Sequence, residues 1–184
     1  MRIFIAIKLS EELREKVAHL RKQYGDLPVR WNRPDGLHVT LVPPWEMEES
    51  ELPSLIERLK ALDVVSFDLF FDRLKMPIAD IIKSNRESDM FWLYGPASKP
   101  FLVLKDELEH ILGLEVARSE FQNHVTLARF RRKDVSSSPV KRIDEQVNWR
   151  QPVRSIVLLR SRPDPAGAIY ETLAEFPLKE KTER

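Results

Sequence analysis

Hydrophobic residues along the chain recur with two periods, and the switches between them mark its elements. Ile3, Ile5 and Ile7 alternate with Arg2, Phe4 and Ala6, which predicts a strand over Arg2 to Lys8 with one wholly aliphatic face. Ser10 then caps a helix, Glu11 and Glu12 sit in its first turn, and Leu13, Val17, Leu20 and Tyr24 follow at helical spacing until Gly25. Alternation returns from Leu37 to Val42. Ser50 to Leu62 reads as a second helix with Leu52, Leu55, Ile56, Leu59 and Leu62 on one side, and Val64 to Asp72 as a strand with Phe67, Leu69 and Phe71 on one face.

The same order recurs downstream. Met90 to Tyr94 is a predicted strand, Lys99 to Leu112 a helix closed by Gly113, and Asn123 to Phe130 another strand. Ser138-Pro139 predicts a short helix running to Val147, and Val153 to Arg160 and Ala168 to Leu178 read as strands. Residues 76–89, with Pro77, Ser84 and Asn85, form the expected connector. Residues 131–139 and 161–167 are turn-rich, and the chain ends in a charged tail, 179–184. The whole is expected to be one bilobal domain, 1–184, made of similar halves at about 1–80 and 90–178, each β-α-β-α-β with an extra strand.

Composition narrows the classes. A length of 184 residues suffices for one well-packed domain. Thirty basic and 29 acidic side chains leave a formal charge of +1, without the basic excess of a protein that coats nucleic acid nonspecifically. Zero cysteine excludes disulfides, thiolate metal sites and a cysteine nucleophile, and suits a reducing cytosol. The apolar stretch Ile3 to Ile7 is too short for a signal-peptide core and is followed by charge, so neither export nor a membrane span is expected, and the expected location is cytoplasmic.

His-Val-Thr-Leu occurs twice, at His38–Leu41 and at His124–Leu127, in a chain with only four His. Random placement would put Thr two places after two of the four His in roughly 0.3% of such chains, so duplication is the better account. In a strand, Val39 and Leu41 then face the core while His38 and Thr40 share the other face; the same parity holds for His124 and Thr126. Two imidazoles serve phosphodiester hydrolysis well: one takes a proton from the attacking water and the other gives one to the departing oxygen. The threonine hydroxyls can donate to the non-bridging oxygens, where charge accumulates. A zinc site would need a third ligand, and the motifs bring no carboxylate or cysteine with them. His19 and His110, off the apolar stripes of their helices, are expected to be solvated.

The segments Arg2-Ile-Phe-Ile-Ala-Ile7, Arg30-Trp-Asn-Arg-Pro-Asp-Gly-Leu-His-Val-Thr-Leu41, Phe67-Asp-Leu69 and Asn123-His-Val-Thr-Leu-Ala-Arg129 resemble, in order and spacing, the two-histidine phosphoesterases, and within them the RNA 2′,3′-cyclic phosphodiesterases once called 2′-5′ RNA ligases. The resemblance implies a bilobal α+β fold, with antiparallel sheets flanking a cleft and helices outside. It also implies metal- and cofactor-free opening of an RNA-terminal 2′,3′-cyclic phosphate to a 2′-phosphate, with His38 as proton donor to the 3′ oxygen and His124 as acceptor from water. The motif pair alone leaves those two roles interchangeable. Small cyclic nucleotides, 2′-5′ linkages, or binding of nucleotides without turnover remain as alternative uses of the same cleft.

One departure follows the first motif, where Val42-Pro-Pro-Trp-Glu46 replaces the family's usual Phe-Leu-Gly and an acid. This segment reads as a stiff loop whose Trp45 either stacks on a base or packs beneath the lobe. Arg129 is the expected phosphate contact, Arg33 (with Arg30) its counterpart before the first motif, and Phe4 a residue lining the cleft or packing between lobes. Arg131, Arg132 and Lys133 read as a solvated turn and Trp31 as core. A monomer is expected.

Overall fold

The computed structural model describes residues 1–83, 87–114, 123–136, 138, 140, 142–165 and 167–180. Its strands are β1 (Arg2–Lys8), β2 (Arg30–Trp31), β3 (His38–Glu46), β4 (Phe67–Met76), β5 (Ser88–Gly95), β6 (Asn123–Arg131), β7 (Ile143–Val153), β8 (Ser155–Arg162) and β9 (Ile169–Pro177). The helices are α1 (Glu11–Gln23), α2 (Leu52–Leu59), α3 (Ile78–Lys83), α4 (Lys99–Leu112) and α5 (Arg132–Val135). Ser10 caps α1 as expected, its hydroxyl accepting from the Leu13 N–H at 3.4 Å. Gly113 closes α4 in the left-handed region, at φ 67°. No described helix is long and apolar enough to cross a membrane.

The named strands form one antiparallel α+β sheet in the order β7-β4-β5-β6-β3-β1-β8-β9, with β2 paired to β6. It comprises two four-stranded halves, β7-β4-β5-β6 and β3-β1-β8-β9, each ending in a strand that carries one His-Val-Thr-Leu motif. The halves touch through β3 and β6, paired at Val39 and Val125. Past that point the strands part, and β2 takes over the edge of β6 at Ala128 and Arg129.

The halves of the sheet are not the halves of the sequence. Strand β4, expected with the first motif, pairs with β5 and β7 of the other side, while β8 and β9 from the C-terminal end pair onto β1. Helix α1 also crosses over, lying against β7: the Ser10 N–H donates to Gln151 Oε1 at 2.8 Å, and the Tyr24 ring meets Phe91 edge-on at 6.1 Å. Alternation tells which residues face inward but not which strand they will meet. The result is a shared core, with Ile3, Ile5 and Leu41 in the same cluster as Leu69, Phe71, Phe91 and Leu104. Each such side chain, fully removed from water, contributes about 1.5–3 kcal/mol, so neither half is expected to stand alone.

Three local expectations are corrected. Residues 143–147 belong to strand β7 rather than to a helix. Val140, Ile143 and Val147 imitate helical spacing, but Ile143, Val147, Trp149, Gln151 and Val153 lie on one face at period two, interrupted by Glu145. The connector contains α3, whose Ile78 and Ile81 are fully buried, and Ser84, Asn85 and Pro139 lie outside the described residues. Val42–Glu46 is not a loop but the continuation of β3 beside β1, with Glu46 opposite Arg2 and Trp45 opposite Ile3. Its two prolines are tolerated because the other edge of β3 has already parted from β6.

At Gly95 the backbone of β5 approaches β4 so closely that a Cβ would lie 1.9 Å from the Phe70 carbonyl oxygen. Beside it the fully buried Asn123 donates from Nδ2 to the Pro96 carbonyl at 2.6 Å, anchoring the start of β6. We expect Gly95→Ala to destabilise the protein by about 1–3 kcal/mol or more, the usual cost of overpacking. A urea melt unchanged from the parent would contradict this close approach.

Candidate active site

The Val39–Val125 pair sets the geometry of the site. Antiparallel register about that pair places Thr40 across from His124 and Thr126 across from His38. Val39, Leu41, Val125 and Leu127 are buried in the core, whereas His38, Thr40, His124 and Thr126 are half-buried on the opposite face. The two histidines are thus diagonal neighbours, about 7–8 Å apart in a regular ladder. A local two-fold axis runs between the valines, so each imidazole sees a threonine of the other strand.

Both motifs line one cavity of about 460 Å³, with Arg2, Arg30, Arg33 and Arg129 around it and, among the described residues, no carboxylate in its lining. In a chain of net charge +1, four guanidiniums about one hollow make a local anion site. Asp35 reaches toward one of them, 3.5 Å from Arg33 Nε.

Arg129 owes its position to a bulge. Strict alternation from His124 would turn Arg129 into the core beside Val125 and Leu127. Between the pairs Trp92–Thr126 and Phe91–Ala128, however, β6 advances two residues while β5 advances one. The extra residue flips the parity, buries Leu127 and Ala128 in succession and turns Arg129 out to the cavity, where its guanidinium also lies 3.5 Å from the Met90 sulfur. An equivalent shift follows the first motif, between the pairs Ala6–Thr40 and Ile5–Val42.

A further irregularity decides Trp45. Between the pairs Ile5–Val42 and Ile3–Trp45, β3 advances three residues and β1 two. Pro44 therefore lines the cavity, while Trp45 turns to the opposite face and packs with Val42, Met47 and Leu55. The base-stacking role considered for Trp45 is corrected to a packing role. Phe4 lines the cavity but is 2% exposed, beneath His38 (ring centroids 5.0 Å) and Tyr170 (5.0 Å), so it supports the histidine rather than offering a free face to a base.

His38 is held on three sides. Its Nδ1 lies 2.7 Å from the Gly36 carbonyl, which can only accept, so Nδ1 carries the proton and Nε2 is left for chemistry. Phe4 and an edge-on Tyr170, with centroids at 5.1 Å, enclose the ring. Burial pulls its pKa below the ordinary imidazole value; the Gly36 bond opposes this, while His124 and Arg129 add to it. On the other strand Tyr94 lies against His124 at 6.0 Å. Asn32 secures that strand, its Nδ2 donating to the Thr126 carbonyl at 2.7 Å and its N–H to Leu127 at 2.8 Å.

His38, Thr40, His124, Thr126, Arg129, Arg33, Arg30 and Phe4 therefore meet at one hollow, and Trp45 does not. Trp31 borders the hollow while its ring packs edge-on against Phe91 at 5.7 Å. Arg131 pairs with Asp134 at 2.8 Å, and Arg131, Arg132 and Lys133 do not line the cavity. His19 and His110 are exposed on their helices. Tyr170, Asn32 and Arg2 were missed. Only Arg2 had left a signal, since it shares the alternating face of Phe4.

Among the described residues no three His, Cys, Asp or Glu gather closely enough to hold a metal ion. The motif pair and its arginines thus present two imidazoles, two hydroxyls and four guanidiniums to one cavity.

Known proteins resemble the chain in sequence and in fold. The model of the family described as LigT-like phosphoesterase matches residues 4–76. An RNA 2′,3′-cyclic phosphodiesterase of Archaeoglobus fulgidus is 25% identical over 180 residues, 96% of this chain and 99% of that protein. A second of that name, from Methanocaldococcus jannaschii, is 25% identical over 183 residues, 96% and 100% of the two chains. Among solved structures, E. coli LigT in apo form superposes with TM-score 0.75 at 23% identity over 97% of both chains. LigT complexed with ATP gives 0.71 at 25%, over 97% and 98%. Over residues 4–76 the chain is similar to the LigT-like phosphoesterases, and over 96% of its length to two proteins named RNA 2′,3′-cyclic phosphodiesterase.

The packing around His38 has a measurable consequence. Because the folded state disfavours its protonated form, His38 makes stability fall as pH drops below the ordinary imidazole value, levelling off below the folded-state pKa. We expect NMR titration to show His38 deprotonating at lower pH than a free imidazole, and Tyr170→Ala, which uncovers the ring, to move it back up. No movement would contradict the enclosing role of Tyr170.

Proposed function

We propose that the enzyme opens a 2′,3′-cyclic phosphate at the 3′ end of RNA to a 2′-phosphate, without a metal or other cofactor. The observation that carries this reading is the dyad of His-x-Thr pairs facing one arginine-lined cavity. An in-line displacement needs a base and an acid on opposite flanks of phosphorus, and diagonal imidazoles across an antiparallel pair provide them. The two archaeal relatives named RNA 2′,3′-cyclic phosphodiesterase support the substrate class.

In this mechanism His124 takes a proton from water as its oxygen bonds to phosphorus. The bond from phosphorus to the 3′ oxygen breaks, and His38 Nε2 delivers a proton to that oxygen, leaving the phosphate on the 2′ oxygen. Thr40 and Thr126 hydroxyls and the Arg129 guanidinium bind the non-bridging oxygens as charge develops. His38 is disposed to be neutral in the free enzyme. An acid role therefore requires the substrate to charge it: the diester anion beside the ring favours imidazolium, so proton loading is coupled to substrate binding. Exchange of the two roles would leave the geometry equally satisfied, and the resemblance favours His38 as donor. The cleft is formed within one chain, which supports action as a monomer, and a cysteine-free chain suits the cytoplasm.

An RNA oligomer ending in a 2′,3′-cyclic phosphate, compared with free nucleoside cyclic phosphates and 2′-5′ oligomers, tests the reading. We expect 2′-phosphate ends, insensitivity to EDTA and a bell-shaped pH profile. His38→Ala and His124→Ala are each expected to lower turnover about 10²–10⁴-fold, and Thr40→Ala and Thr126→Ala less. A 3′-phosphate product would overturn the assigned bond cleavage, and activity lost to EDTA but restored by zinc would overturn the metal-free mechanism.

A further inference from the structure

We propose that the cleft face of β5 and β4 is a stacking platform for the RNA strand leading into the site, so that the enzyme's substrate is an oligonucleotide end rather than a mononucleotide. This rests on the phosphodiesterase reading and extends it to the nucleotides 5′ of the reacting phosphate.

Strand β5 alternates Phe91 and Leu93, fully buried, with Trp92 and Tyr94, half-buried on the cleft face. These two rings pack on each other at 5.6 Å, and the register puts Tyr94 directly beside His124 and Trp92 beside Thr126. One strand further out, Arg73 lies beside Tyr94 and Lys75 beside Trp92. Phe70, on the same strand but across an irregularity in the β4–β7 register, is 49% exposed although its neighbours Leu69 and Phe71 are fully buried. An aromatic–basic row beginning at the catalytic strand is what a single strand of nucleic acid needs: flat faces for bases and cations for phosphates.

A second hollow of about 1120 Å³ adjoins Tyr94 and includes Arg73, Lys75 and Arg142 among its lining. The carboxylates Asp72 and Asp144 also line it. Asp144 is gripped by both Arg73 and Arg142, which hold its pKa at about 2. The small excess of positive charge makes stacking the main source of affinity and predicts a shallow dependence on salt. From β6 to β4 is two strand spacings, about 10 Å, a span that about three stacked nucleotides cover at about 3.4 Å each. On the His38 side, among the described residues, Phe4 is buried and Tyr170 lies over it, so Phe4 offers no open face to a base.

The test compares kcat/KM for a ten-nucleotide RNA ending in a 2′,3′-cyclic phosphate with that for the free nucleoside 2′,3′-cyclic phosphate of the same base. We expect the oligomer to be preferred by about 10-fold or more, and Phe70→Ala, Trp92→Ala and Lys75→Ala each to shrink that preference several-fold. Phe70 is exposed enough for its variant to fold. Equal efficiency on the two substrates, or equal losses on both in Phe70→Ala and Lys75→Ala, would overturn the platform. If neither substrate turns over, the phosphodiesterase reading fails. The platform is then judged by fluorescence anisotropy with the 5′-labelled oligomer: binding weakened about 10-fold by Phe70→Ala supports it, and absent or unaffected binding overturns it.

Discussion

The pairing of Val39 with Val125 is the contact on which the site depends. It joins two half-sheets into one, and because antiparallel register is rigid, it also determines where four polar side chains stand. Burying the valines and leucines of both motifs forces His38, Thr40, His124 and Thr126 onto the other face. The same hydrophobic burial that closes the core thus positions the chemistry. Loops could not hold two imidazoles at a fixed diagonal so well, since strands packed on a core resist small displacements.

Departures from regular alternation matter as much as the alternation. A bulge after each Thr changes the parity of its strand: on β6 it brings Arg129 into the cavity, while on β3 a second irregularity restores the original parity and leaves Pro44 at the cavity and Trp45 against the core. Around His38, Gly36, Phe4 and Tyr170 fix the ring and shield it from water, which makes its protonation responsive to a bound anion. Around His124 the ring of Tyr94 packs instead, and leads onto the aromatic row of β5. A near-symmetric pair of motifs therefore sits in an asymmetric cleft, and that asymmetry is what can separate the roles of two residues identical in local sequence.

Much of the site was legible in the sequence because its signal is local. The repeated His-Val-Thr-Leu, read at period two, placed all four motif residues on one face, and the basic residue closing the second motif pointed to Arg129. Strand pairing was not legible: β4, β8 and β9 carry clear inward faces, but nothing in their pattern names the half-sheet they join. Tyr170 reaches His38 through β9, an association fixed only by tertiary packing. Trp45 was left between two roles for a different reason: alternation from Val39 and Leu41 turns it to the core face, but the two prolines before it read as a loop in which that alternation would not hold. β7 eluded the reading because three apolar residues happened to imitate helical spacing.

The claim that two imidazoles serve one phosphoryl group is tested most directly by titrating the isotopically labelled enzyme with a nucleoside 2′-monophosphate while following the ring resonances of His38 and His124 by NMR. The account predicts that both rings shift along a single one-to-one isotherm, His38 toward its imidazolium form. Two isotherms of different affinity, or a response from one ring alone, would show that the histidines serve separate sites and contradict it.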